Sequence, residues 1–294
     1  MATPRGTDAE GTWSVLERLV VDVIGESNYA RPVVCGVGCG GPMLPGGVEL
    51  SPLNIPAWRG FRLRDRLCDL TGIPTFIDND AKAFALGEGW LGASKESSNY
   101  IAIVVSTGVG GGIVLNGRLL DGRLGNAGHI GHVVVVPEGR VCSCGGRGCL
   151  EAEASGTAIA TITGGDPADA PIEIVERSGT LLGRAVASVA NLLDISLAVV
   201  AGSVALGFGE PFFDAATREL ASRAKLDFSR EAKIVPAGLG ARGPIVGAGA
   251  LGWRALFDAS SDLEPPGGSR DWLSSARAAA ARSTLAGTTP HGVK

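Results

Sequence analysis

The strongest apolar pattern in the chain is the unbroken run YIAIVVS, Tyr100 to Ser106, whose β-branched residues and glycine-rich exit predict a buried strand feeding a turn. RPVVCGVGC (Arg31 to Cys39) and Leu197 to Ala201 have the same character, and each runs into glycine. Helical spacing alternates with these strands. Trp13, Leu16, Val20 and Val23 share one face of 11–24, and Phe61, Leu63, Leu67 and Leu70 share one face of 61–71. Further helices are predicted over 80–90, 172–193, 211–225 and 245–257, with short strands at 75–78 and 232–236 and a hairpin-like stretch from Gly112 to Leu120. Such alternation implies α/β layers. The polar segment 94–99 reads as a hinge, giving a first α/β lobe over 1–97, completed by helix 245–257, and a second over 98–244. From Asp258 the chain is dominated by Ser, Gly, Pro, Ala and Arg, which predicts a disordered tail over 258–294 with a short helix at 271–282.

Composition sharpens this picture. A length of 294 residues suits two lobes, and 45 glycines with 19% charged residues suit a loop-rich enzyme. A net charge of −4 without clustered Lys and Arg excludes nucleic acid as a partner. The opening MATPRGTDAEGTW has no signal-like apolar core, and the apolar runs fall short of the ~18 residues a membrane span needs, so a soluble, cytoplasmic protein is expected.

The six cysteines are unevenly placed: Cys142, Cys144 and Cys149 crowd together behind His132 as H-x9-C-x-C-x4-C. Three thiolates and an imidazole complete a tetrahedral Zn2+ shell with no open position, which makes the ion structural. Reduced cysteines in a surface loop are the alternative. His129 and Glu151 flank these ligands, so a bound ion would hold the two polar side chains near each other. Asp78-Asn79-Asp80 ends a strand and opens a helix, where an aspartate serves either as a cap or as a functional carboxylate. STGVGGG, residues 106–112, is a glycine-rich turn of the kind that aims backbone N–H groups at phosphates, but it lacks the GK[ST] ending of a P-loop.

The run GNAGHIGHVVVVPEGRVCSCGGRGCLEAEASG, Gly125 to Gly156, resembles the zinc-binding signature of the ROK family of sugar kinases and sugar-responsive repressors, and the similarity extends from about Gly36 to Gly252. The resemblance implies a two-lobed actin-like ATPase fold, ribonuclease H-like, with a cleft between the lobes. It implies zinc on His132, Cys142, Cys144 and Cys149, with His129, His132 and Glu151 facing a sugar. Ile77 to Ala81 matches the family's IDNDA motif, which makes Asp80 the catalytic base and Asn79 a sugar ligand. Gly41 in GVGCGGPM and Asn54 in SPLNIPAW fall at positions shaping the same pocket. Thr107, Gly108, Gly110 and Gly111 match a phosphate loop, and Gly202 and Ser203 in VVAGSVALG match an adenosine loop. The implied activity is phosphorylation of a hexose or N-acylhexosamine at the 6-hydroxyl by ATP with Mg2+, in a homodimer. A catalytically impaired sugar-binding or regulatory protein is the alternative. Two residues depart from the pattern: His129 stands where the family has glutamate, and Lys82 where asparagine is common. The family's opening DxGGT hairpin has no match in residues 1–30, so the first lobe is expected to be N-terminally truncated, with a start codon assigned too far downstream as the explanation.

Overall fold

The computed structural model describes residues 6–26 and 32–257; the expected tail and its short helix lie outside them. The described residues form two compact units, one from those up to Asp78 together with 249–257, the other from Asn79 to Ala248.

In the first unit α1 (Ala9–Gly25) starts where the Asp8 carboxylate accepts the Gly11 N–H at 2.7 Å. Then come β1 (Cys35–Cys39), α2 (Leu63–Thr71) and β2 (Thr75–Asn79), with β1 and β2 paired in a two-stranded sheet. The core is aromatic. Trp58 stacks on Phe61 at 4.5 Å and 3°, and Trp13 of α1 leans against the same ring at 6.4 Å. The Arg66 guanidinium covers Phe61 at 4.7 Å while pairing with Glu10, so charge and ring together fasten α2 to α1. That cluster reaches only the early turns of α1: Trp13 is buried, but Val23, expected on the same face, is 61% exposed.

The second unit contains α3 (Asp80–Leu91), β3 (Tyr100–Val105), β4 (Val109–Leu115), β5 (Arg118–Leu119), α4 (Leu150–Ala154) and α5 (Gly156–Thr163). It continues with α6 (Ile172–Leu193), β6 (Leu197–Ala201), α7 (Ser203–Phe208), α8 (Glu210–Arg223) and β7 (Lys233–Pro236). The final helix, α9 (Gly243–Phe257), is divided between the units after Ala248. The sheet order is β5-β4-β3-β6-β7, antiparallel across β5-β4-β3 and parallel across β3-β6-β7. The apolar run therefore lies at the centre of the sheet, with Ile101, Ala102 and Ile103 fully buried. The β4–β5 hairpin closes on Asn116-Gly117, both at positive φ (52° and 72°), the two-residue turn whose twist matches its strands.

The polar hinge at 94–99 is not where the structure divides. α3 lies against β4: a methyl added to Gly112 would meet the Ala85 Cβ at 2.7 Å and the Ala81 carbonyl at 2.9 Å. This helix therefore belongs to the second unit, and the division falls just before it. Among the described residues no helix is long and apolar enough to cross a membrane.

Candidate active site and metal centre

β2 ends in Asp78-Asn79, and the turn into α3 distributes two tasks. Asn79 Oδ1 accepts the N–H groups of Ala81 and Lys82 at 3.0 and 3.4 Å, so asparagine is the helix cap. Asp80, the first helical residue, is left exposed with its Oδ1 on the Ala81 N–H at 2.9 Å.

The β3–β4 turn lies beside this helix. Ser106 N–H donates to the Gly108 carbonyl at 2.9 Å, and the Val109 N–H donates to Glu151 Oε2 at 2.9 Å. Glu151 stands in the first turn of α4, immediately after the cysteine cluster, so one carboxylate connects that cluster to the turn. Below the turn, Gly110 and Gly111 sit inside β4, opposite Val104 and Ile103. A methyl on Gly110 would lie 3.1 Å from the Ala81 Cβ, and one on Gly111 would lie 2.9 Å from the Gly128 carbonyl. These two glycines allow close packing of α3 and of the segment leading to His129.

On the other side of the turn a cavity of about 460 Å³ is lined by Thr107, Thr157, Asp166, Ser203, Gly207 and Phe208, among others. Thr157 donates through both its N–H and its hydroxyl to the Thr107 carbonyl, at 3.2 and 2.9 Å, and the Ser106 and Ser203 hydroxyls meet at 3.0 Å. Gly202 has φ +103°, and a methyl there would collide with the Val105 carbonyl at 2.1 Å, so glycine lets the chain leave β6 tightly over β3.

The segment after Gly128 brings His129 to within 6.0 Å of His132, ring centre to ring centre. Burial, His132 and the Lys82 ammonium hold the His129 imidazole below its usual pKa, against the opposing pull of Glu151 and Asp80. His132 Nδ1 lies 3.7 Å from Cys142 Sγ, Cys144 Sγ lies 3.8 Å from Cys149 Sγ, and all four donor atoms fall within 4.8 Å of one another. A tetrahedral zinc with bonds of ~2.3 Å to sulfur and ~2.0 Å to nitrogen requires S···S edges of ~3.8 Å and S···N edges of ~3.5 Å. The donor set fits that ion. Burial pushes the Cys149 thiol up to about 12, whereas the Gly146 N–H holds the exposed Cys144 thiol below its usual value; a divalent cation would replace both protons.

In the first unit the 40–43 and 51–54 loops pair. Leu53 N–H donates to the Gly41 carbonyl at 3.2 Å, and a methyl on Gly40 would touch Asn54 Oδ1 at 3.4 Å. Gly41 and Asn54 thus share one local surface.

The sequence profile of the ROK family matches residues 3–254. The chain belongs to the ROK family. It is 43% identical over 151 residues to a glucokinase from Thermotoga maritima, an alignment spanning 51% of this chain and 47% of that protein. It is 38% identical over 223 residues to an N-acetylmannosamine kinase from Haemophilus influenzae, spanning 70% and 73% respectively. Among solved structures, a ROK hexokinase from Thermus thermophilus matches with TM-score 0.78 at 30% identity, over 87% of this chain and 90% of that one. A ROK glucokinase from Streptomyces griseus in complex with glucose and AMPPNP matches with TM-score 0.70 at 27% identity, over 86% and 90%. The fold of this ROK chain is therefore the actin-like ATPase fold of ROK sugar kinases.

Asp80, Asn79, His129, His132 and Glu151 all fall in the second unit of the ROK chain, as do the four metal donors. Of the six residues expected at a nucleotide, Thr107 and Ser203 line the cavity, whereas Gly108 faces Glu151, Gly110 and Gly111 face Ala81 and Gly128, and Gly202 faces Val105. Thr157, Asp166 and Phe208 escaped the sequence reading because they come from three separate elements and form no local motif. The Glu151 bond to Val109 was equally hidden, since its partners are 42 positions apart.

Proposed function

We propose that this ROK protein is an ATP-dependent kinase acting on a hexose or N-acylhexosamine, transferring the γ-phosphoryl group to the 6-hydroxyl with Asp80 as general base. The observation that carries this reading is the arrangement at the head of α3: Asn79 caps the helix through the Ala81 and Lys82 N–H groups, while Asp80, whose Oδ1 shares the Ala81 N–H, stays exposed to solvent. A carboxylate held beside an attacking hydroxyl accepts its proton as the bond to phosphorus forms, while positioning and charge neutralisation supply most of the acceleration. Mg2+ arrives with ATP and supplies part of that neutralisation.

In this reading His129, Glu151 and Asn79 contact the sugar hydroxyls, together with His132, whose Nδ1 is turned to the metal donors. Adenosine occupies the cavity beside Thr107 and Ser203, and Gly108, Gly110, Gly111 and Gly202 set the course of the loops around the phosphates. Zn2+ on His132, Cys142, Cys144 and Cys149 serves structure only, because four protein donors close its shell. The kinase names of the relatives and the glucose and AMPPNP of the S. griseus complex support the reading.

The test is Asp80→Asn, followed by sugar-dependent ADP formation with glucose and N-acetylmannosamine. The amide keeps the shape but takes no proton, so turnover is expected to fall by about 10²–10⁴-fold. Sugar affinity should stay within about tenfold, roughly 1.4 kcal/mol. Turnover at the unsubstituted rate would remove Asp80 from the mechanism.

A further inference from the structure

Lys82 replaces the asparagine common at its position in the family, and its surroundings are unusual for a lysine. The residue is 2% exposed, yet its ammonium is buried with partners: Nζ donates to Asp121 Oδ1 at 2.8 Å and to the Gly125 carbonyl at 3.2 Å. An ammonium taken out of water is tolerated only with such compensation. The Asp121 side chain is 48% exposed. The two acceptors lie on one short loop that closes on itself, with Ala127 N–H on the Asp121 carbonyl at 3.0 Å and Gly125 N–H on the Gly122 carbonyl at 3.4 Å. That loop delivers Gly128 and then His129. Lys82 belongs to the same helical turn as Asp80, and both charges are felt at the His129 ring.

We propose that Lys82 and Asp121 form a clamp, with Lys82 as the positioning residue that fixes the 121–129 loop, and hence His129, against the turn of α3 that carries Asp80. The functional half of this proposal rests on the sugar-kinase reading: the clamp sets how the sugar-facing loop meets the base. Neither residue touches substrate in this scheme. The helix packs closely on β4 at this turn: a methyl added to Gly112 would lie 2.9 Å from the Lys82 Cα.

The clamp can be opened with little collateral damage. Lys82→Met keeps the aliphatic stem and leaves behind a half-exposed Asp121 that water can solvate. Asp121→Asn removes the charge from the loop side and serves as a second variant should the first fold poorly. Both are compared with the unsubstituted, zinc-loaded protein by amide hydrogen exchange and by sugar kinetics with glucose and N-acetylmannosamine. Exchange across 121–129 should rise about tenfold or more while the 133–149 metal loop keeps its protection, which a general loss of stability would not produce. Sugar KM should rise about tenfold with kcat changed by less than about threefold. Unaltered exchange in 121–129 in both variants overturns the clamp. Local loosening with an unchanged sugar KM overturns its positioning role. If the loop loosens as expected but the unsubstituted protein phosphorylates no sugar, the clamp stands and the kinase reading falls.

Discussion

Cys144 and Cys149 lie 3.8 Å apart in opposite surroundings, one exposed and one 2% exposed, and this contrast makes Cys144 the informative ligand to remove. Cys144→Ser disturbs no packed core, so a change in metal content is attributable to the lost thiolate. Elemental analysis should show about one zinc per chain in the parent protein and little in the variant. Sugar affinity and thermal stability should fall with it, since metal and folding free energies are coupled. Zinc-free parent protein with intact sugar binding would contradict this. His129 offers a second test at this scale. Its imidazole is held below its usual pKa, so in the proposed reading it would meet a sugar uncharged at neutral pH, as donor or acceptor, at the position where the family resemblance implies a glutamate. His129→Glu should therefore reorder a sugar panel toward glucose or N-acetylmannosamine, and an unchanged ranking would show that the ring does not face substrate.

Between elements, Glu153 acts as a junction. Its carboxylate is 1% exposed and accepts the Arg140 N–H at 2.6 Å and the Arg140 guanidinium at 3.0 Å, along with the guanidinium of Arg177 on α6, so α4, α6 and the segment entering Cys142 meet at one side chain. Burial alone would raise its pKa, but the Arg140 N–H and the two guanidiniums outweigh that and hold it below the usual carboxylate value. Its contribution is thus complete above the unfolded value of ~4.3 and disappears as pH falls through the lower folded value. Glu153→Gln should cost about 2–3 kcal/mol at pH 7, less than the ~3–5 of a fully buried pair because both guanidiniums reach solvent. The gap in Tm between parent and variant should narrow below pH 4. A gap that stayed constant in acid would mean that the charge contributes nothing. Gly112→Val tests the α3–β4 contact, where overpacking should cost ~1–3 kcal/mol and lower turnover by tilting the helix that bears Asp80. Melting curves and ADP assays measure the two effects, and an unperturbed melt would show that the contact is loose.

Across the whole molecule, what was legible in the sequence is what local pattern determines. The apolar run at 100–105, the helix over Ile172–Leu193 and the strand Leu197–Ala201 follow from periodicity, and four ligands at short spacing announce their own convergence. α4 and α5 were missed because helices of five and eight residues carry too little repeat; α5 is set by a single cap, the Ser155 hydroxyl on the Ala158 N–H at 3.1 Å. The glycine-rich turn 106–112 reads as a phosphate loop from local pattern, while the packing of Gly110 and Gly112 against α3 was not legible because it depends on a helix 25 or more positions away. The division after Asp78 was hidden for the same reason, since polarity at 94–99 reports a surface segment and not which sheet the preceding helix covers.

Glu151 links two ligands that never meet. Its backbone follows the last cysteine of the metal loop and its carboxylate accepts the Val109 N–H beside Thr107 of the cavity wall, so in the proposed reading metal and nucleotide would bias the same bond from opposite ends. Linkage is reciprocal: if zinc improves the fit of the nucleotide, nucleotide must retain zinc by the same factor, typically about 5–150-fold for such couplings. Zinc transfer to a chromogenic chelator should therefore slow several-fold when AMPPNP is added, and a release rate indifferent to nucleotide would show that the Glu151 bridge transmits nothing.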